Sequence, residues 1–545
     1  MIKRITFFIC LTFLGGSVFS QKTSVVDDAG IKVKMFNAHQ DFLAGDYASA
    51  LKKYLDANTT KPNDGSILFH LGECYNAMMD YDNAMNYLEK SEKADSNANE
   101  DLHLTLGMVY IQEDQIDNAS KELNWHKKLN SNNPKKLKED DIEHYIAECV
   151  TAKQLEAHPL KVTVTNLGDA INSTYDDKSP SVSADGATLI FTSQRQLLVG
   201  KMKQSKDPNA TFDNVYIATW DTAKNGWGLS YPISGDVNEE YAHTSCTSIS
   251  PDGNQIFLYK NPTSGSAIGG DIFVSKRSKK GKWGAPVSLG SPINTSYYED
   301  GACLSPDGNT LYFVSERPGG FGRADIYKSD KISRKEWGKP ENLGPRVNSD
   351  FDEGAPFIAP DGHTLFFSSD GHSSMGGYDI FKTSINDSGK WTFPVNLGYP
   401  INTVNNEKGF TLSADARTGY FASDRKGGEG KRDIYSVDLS FYPVLASDDG
   451  SAKPKGFSIL RGKISNAKGD PFEDANVAVM DSAGVKIATM KSNADGQYFI
   501  TLKGNSTYKL KITAKGYKGY TKPIKLPSSP IGTFTMNLDV ILEKE

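Results

Sequence analysis

The chain has 545 residues, 38% hydrophobic and 23% charged, with a formal net charge of -6. That length exceeds a single domain and predicts three or four, and the composition excludes both a polytopic membrane protein and a mostly disordered chain. An acidic balance without a basic block argues against nucleic acid and anionic lipid as partners.

Residues 1–20 read as a secretory signal. Lys3 and Arg4 precede an apolar run from Ile5 to Leu14, and Val18-Phe19-Ser20 offers an exit before Gln21. The run is too short to span a bilayer, and Cys10 lies inside it rather than after it. The mature chain is therefore expected to be exported without a lipid anchor or a direct membrane span. Cys74, Cys149, Cys246 and Cys303 remain. They are too sparse for a disulfide framework and lack the CxxC or Cys/His spacing of a zinc site, so buried free thiols are expected.

Residues 31–157 predict repeated helical hairpins. Ala50, Ala84 and Ala119 recur at 34 and 35 residues, Gly72 and Tyr75 recur as Gly107 and Tyr110, and Tyr54, Leu88 and Leu123 correspond. Small residues let two helices approach, while the large ones fill the space between hairpins. This pattern resembles the tetratricopeptide repeat, stacked as a solenoid. Residues 138–157 are expected to form one final covering helix.

Residues 161–443 repeat at a longer period. Turns at Asp185, Asp252, Asp307, Asp361 and Asp415 each precede an apolar run (TLIFTS, QIFLYK, TLYFVS, TLFFSS, TGYFAS). A third strand follows in each unit (NVYIA, DIFVS, DIYKS, DIFKT, DIYSV), and a fourth is expected around Trp227, Trp283, Trp337 and Trp391. The fifth copy of that last strand stands in front, at 162–167, so the expected five-bladed β-propeller closes by lending its N-terminal strand to the last blade. A linker at 444–456 leads to residues 457–545, where short alternating strands between Gly, Asn and Asp turns predict a small β-sandwich.

The succession GKI, GDP, ANV, ADGQY and ITAKGY in the last segment resembles the carboxypeptidase-regulatory, transthyretin-like module. The propeller units resemble TolB-type, WD-repeat-like propellers. The whole order resembles the PorE-like envelope proteins of Bacteroidota, without their OmpA-like domain. The resemblance implies a non-enzymatic periplasmic scaffold linked to type IX secretion or gliding. It also implies association with the outer membrane through protein contacts, with an outer-membrane β-barrel protein as partner.

The sequence carries little recognisable catalytic chemistry, and no cofactor is expected. Gly371-His-Ser373-Ser-Met-Gly376 lacks the glycine that a nucleophile elbow needs two residues after its serine. Asn348 to Ala359 lacks the glycine and glutamate of a calcium loop. Asp271, Asp325, Asp379 and Asp433 open four of the five third strands and are expected to hold loops, with Arg195, Arg317 and Arg425 as their partners. Eight residues before each turn aspartate stand Asp177, Thr244, Glu299, Glu353 and Glu407. Two residues on stand Ser179, Cys246, Gly301, Ala355 and Gly409, all small, as strands crowding a narrow axis require. The acids are open to two readings: acceptors for loop amides, or a partial acidic ring at the channel mouth that binds a cation or a basic partner. The alternative function is a lactonase or glycan hydrolase with a metal at that mouth.

Overall fold

The computed structural model describes residues 22–195, 212–239, 242–261, 269–278, 280–333, 336–386, 388–442, 444–445, 457–527 and 533–545. The expected signal at 1–20 and most of the expected linker lie outside them. The chain forms two compact units, Met1–Ile146 and Ala147–Glu545.

The first unit is built from helical hairpins: α1 (Lys22–Leu43) with α2 (Tyr47–Thr60), α3 (Gly65–Ala77) with α4 (Tyr81–Ala94), and α5 (Leu102–Gln112) with α6 (Ile116–Leu129). Asp46, Asp64 and Asp80 each cap a helix by accepting from backbone N–H groups in its first turn. A Cβ added at Gly72 would lie 2.5 Å from Leu88 Cγ, and one at Gly107 would lie 2.8 Å from Leu123 Cγ. The repeated glycines therefore set the close approach within each hairpin. Ala84 and Ala119 are fully buried beside them, and Ala50 is fully buried in the first hairpin. Where one covering helix was expected at 138–157 there are two, α7 (Pro134–Glu139) and α8 (Ile142–Glu156). Asp141 between them adopts φ +48°, a left-handed turn that ends the first helix. From Ala147 onward α8 belongs to the second unit.

The second unit contains five antiparallel sheets of similar pattern. Their first strands are Asp177–Val182, Thr244–Ile249, Glu299–Leu304, Glu353–Ile358 and Glu407–Leu412. Each pairs with the apolar strand after its turn, which pairs in turn with a third strand. First strands of consecutive sheets lie side by side, and that of the fifth lies beside that of the first, so the five form a ring. The fifth sheet takes its outer strand from far upstream: Thr163–Asn166 pairs antiparallel with Asp433–Asp438. The other outer strands are short: Tyr231–Pro232, Val287–Ser288, Glu341–Asn342 and Val395–Asn396. They lie four or five residues beyond the tryptophans, at the residues leading into each glycine. Trp283 and Trp391 instead make isolated bridges on the approach.

One device repeats in all five sheets. An asparagine after the outer strand (Asn172, Asn238, Asn294, Asn348, Asn402) accepts from one third-strand backbone N–H and donates to the same residue's carbonyl. Those residues are Ile434, Val215, Ile272, Ile326 and Ile380 respectively. Each asparagine gives the third-strand N–H its acceptor and adds a second donor to the carbonyl, which also accepts from the backbone N–H of Leu167, Ile233, Leu289, Leu343 or Leu397. The turn aspartates behave as expected. Asp185, Asp252, Asp307 and Asp415 each accept from the serine two residues before and from a backbone N–H two residues after.

Residues 457–545 form two four-stranded sheets. One centres on Phe457–Asn466, antiparallel to Gln497–Lys503 and parallel to Thr535–Asn537 and Val540–Leu542. The other runs Lys486–Lys491, Asn476–Met480, Ser506–Thr513, Tyr520–Leu526. Leu460, Val477, Ile500 and Leu510 lie in the core between them. Tyr517 packs edge-on against Phe472 at 4.5 Å, on the edge of that core.

Candidate functional site

The ring has two mouths, and the first strands begin at one of them. Asp177, Glu299 and Glu407 are fully buried there, and Glu353 nearly so. Each carboxylate accepts from a backbone N–H and a hydroxyl four residues upstream, at Ser173, Thr295, Ser349 and Thr403. Serines closing the second strand add further donors to Glu299, Glu353 and Glu407. Thr244, the fifth member, is also fully buried.

Arg195, Arg317 and Arg425 go to these acids rather than to the third-strand aspartates. Arg195 Nη2 lies 3.1 Å from Asp177, Arg425 Nη2 3.1 Å from Glu407, and Arg317 Nη2 3.6 Å from Glu299. Each guanidinium also donates to the carbonyl of Ile171, Ile293 or Ile401 and lies over two aromatic rings of its sheet. The fourth sheet has Gly371 at that position, and His372 contacts the Val347 carbonyl instead. Without the guanidinium, burial pushes the Glu353 carboxyl up to about 7. Burial likewise raises Asp177, with Arg195 acting against it.

Asp325, Asp379 and Asp433 accept from backbone N–H groups of the loops before them and from Asn342, Asn396 and Asn166. The serine-elbow stretch is part of this arrangement: Met375 is fully buried and its N–H donates to Asp379.

The residue after each acid is polar or small. Lys178, Ser245, Asp300, Gly354 and Lys408 occupy that register. Asp300, on the third sheet, is coupled electrostatically to Lys178 on the first and Lys408 on the fifth, neither of which adjoins it. Burial pushes Asp300 up, and Tyr298 donates to it at 2.8 Å. Lys178 reaches Asp213 at 2.9 Å, Arg432 forks onto Asp176, and Arg323 pairs with Asp352. Lys408 places its amine 3.1 Å from the centre of the Tyr378 ring, and burial pulls it down to about 8. The mouth is a mixed network of charges.

The small residues of the first strands have a second reason beyond crowding. Ser179, Gly301, Ala355 and Gly409 all have positive φ, between 45° and 73°, within a bulge. A Cβ at Gly301 would also lie 3.0 Å from Pro356 of the next sheet.

The other mouth is covered by the sandwich. Ile249, Leu304, Ile358 and Leu412, at the ends of four first strands, line an apolar cavity that Thr501 of the sandwich also lines. Thr501 donates to the Pro360 carbonyl, Phe457 N–H to the Ala414 carbonyl, and Thr533 to the Ala184 carbonyl. Phe457, Ile459 and Phe499 bury against Ala184 and Ala414. Sequence reading could not place this seat, because its two halves are unremarkable alanines and a strand edge.

Cys74, Cys149, Cys246 and Cys303 are buried and free. Burial pushes the Cys74 and Cys303 thiols up to about 12, far from a reactive thiolate. No helix among the described residues is long and apolar enough to cross a membrane.

Residues 459–539 match the model of the carboxypeptidase regulatory-like domain family. No curated protein matches the chain. Solved structures similar to part of it include the Yersinia enterocolitica type III secretion chaperone SycD in complex with a peptide of the translocator YopD. That pair is 19% identical over 23% of this chain and 95% of the other, with a TM-score of 0.22. The TPR2B domain of yeast Sti1 in its pHsp70 complex is 13% identical over 22% and 95%, with a TM-score of 0.21. Such low scores carry no functional argument, and the helical repeat stands on its own period and hairpin packing. The chain thus combines tetratricopeptide-like helical hairpins, five antiparallel sheets in a ring, and a carboxypeptidase regulatory-like domain at 459–539.

Proposed function

We propose that the protein is a non-enzymatic scaffold whose five sheets are the blades of a TolB-type, WD-repeat-like β-propeller. The observation that carries this is the use made of the buried ionisable groups. Asp177, Glu299, Glu353 and Glu407 each bond within the ring to repeated Ser, Thr, Arg or His partners. A catalytic centre needs different groups converging on one point, whereas this arrangement repeats a structural anchor. The sandwich over one mouth further supports a rigid body that presents surfaces. Helical repeats and propellers bind partners through extended surfaces.

Residence in the periplasm beside the outer membrane, a β-barrel partner and a link to type IX secretion or gliding follow from the PorE-like resemblance. The helical hairpins are the proposed contact. The test is fractionation of cells expressing a chain that lacks 31–141, which spares α8, whose Glu148 accepts from Ser374 within the second unit. Release from the outer-membrane fraction is expected; retention assigns the contact to the second unit. The alternative enzyme places a metal on Glu299 and Glu353, and a stoichiometric ion lost on substituting both would favour it.

A further inference from the structure

Glu92 of α4, His103 of α5 and Glu122 of α6 meet inside the helical unit. One potential ligand atom from each lies within 4.8 Å of the others, which no other three such residues achieve among the described residues. His103 and Glu122 are only 3% and 2% exposed. His103 Nε2 lies 3.1 Å from the Ser96 carbonyl. A carbonyl can only accept, so Nε2 carries a proton and Nδ1 turns to Glu122 Oε2, 2.6 Å away. A proton shared between Nδ1 and Oε2 accounts for that separation; zinc held by both atoms, at about 2.0–2.2 Å from each, would set them roughly 3.2 Å apart, a small side-chain adjustment that displaces the proton. Glu92, half-buried and without a hydrogen bond of its own among the described residues, adds a third donor on the side open to solvent.

We propose that Glu92, His103 and Glu122 bind a divalent transition-metal ion of the zinc class, which staples the second helical hairpin to the third. One imidazole nitrogen with two carboxylates suits zinc, which leaves its fourth position to water, and does not suit calcium or magnesium, which take oxygen donors. The Nε2–H on a backbone carbonyl is the arrangement that orients metal-binding histidines. Lys121, whose exposed amine lies 2.8 Å from Glu122 Oε1, competes with the metal for that carboxylate.

The test is titration of the chelator-stripped full-length protein with zinc against a chromophoric chelator, with circular dichroism to follow folding. One zinc per chain is expected in this site, undisturbed by excess calcium. Glu92→Gln, at a half-buried position that tolerates change, should weaken it by about tenfold or more. Lys121→Ala should tighten it several-fold, a gain that no loss of folding can imitate. Absence of saturable zinc binding overturns the proposal, and so does unchanged affinity in Glu92→Gln. Weakened or unchanged affinity in Lys121→Ala removes Glu122 from the ligand set and overturns it as stated.

Discussion

Asn172 donates to the carbonyl of Ile434 at 3.0 Å and accepts from its N–H at 2.8 Å, joining residues 262 apart in the chain. The same clamp operates locally in the other four sheets, so the ring is closed by the bond that elsewhere finishes a single sheet. Asn172 is 2% exposed, and water cannot replace it.

Asn172→Leu should therefore cost about 1–3 kcal/mol, because the buried Ile434 N–H loses its acceptor while the Ile434 carbonyl keeps the Leu167 N–H. Thermal or denaturant unfolding checks this, with Asn172→Asp as an intermediate that keeps only the acceptor.

A chain that starts at Tyr175 lacks both Asn172 and the strand Thr163–Asn166, leaving the edge of Asp433–Asp438 unpaired. It should aggregate, since open strand edges template pairing, whereas a chain that starts at Leu160 should stay monomeric. Size-exclusion chromatography and melting of the two decide it.

Arg425→Ala should cost about 3–5 kcal/mol by stranding the fully buried Glu407 carboxylate. Adding Glu407→Gln should recover part of that loss, which a double-mutant cycle measures. At the fourth sheet His372 replaces the guanidinium, so no equivalent arginine deletion exists there.

Glu353 gives the protein a pH response. Its folded carboxyl is pushed up to about 7, above its ordinary 4.5. A carboxyl raised on folding is more protonated in the native state, so its contribution is fully present below about pH 4.5. That contribution is lost as pH rises through about 7. Stability should fall by up to about 3 kcal/mol across that window. Glu353→Gln should flatten the profile, as read from unfolding midpoints between pH 5 and 8.

Phe457→Asp should loosen the sandwich from the ring, because Phe457 buries against Ala184 and Ala414 and its N–H bonds Ala414. Calorimetry should show one shared transition in the parent protein and two in the variant.

The sequence by itself determined what is local and repeated. The hairpin period, the Asp-Gly turns, the strand triplets and the outer strand at 162–167 are written in turn residues and hydrophobic alternation. Gly72 and Gly107 announced close helix contacts for the same reason. Tertiary structure decided which way the first strands face. The acids at 177, 299, 353 and 407 left two readings open, acceptors for loop amides or a ring at the channel mouth, and the structure gives each a backbone N–H and a hydroxyl four residues upstream. In a strand a shift of one residue exchanges the two faces, and periodicity alone cannot say which face a ring turns inward. The partners of Arg195, Arg317 and Arg425 depended on that same orientation. Glu92, His103 and Glu122 stand on three helices, and the sandwich seat joins Phe457 and Thr501 to alanines and a proline more than forty residues away. Such meetings leave no spacing in the chain, because packing rather than local propensity creates them.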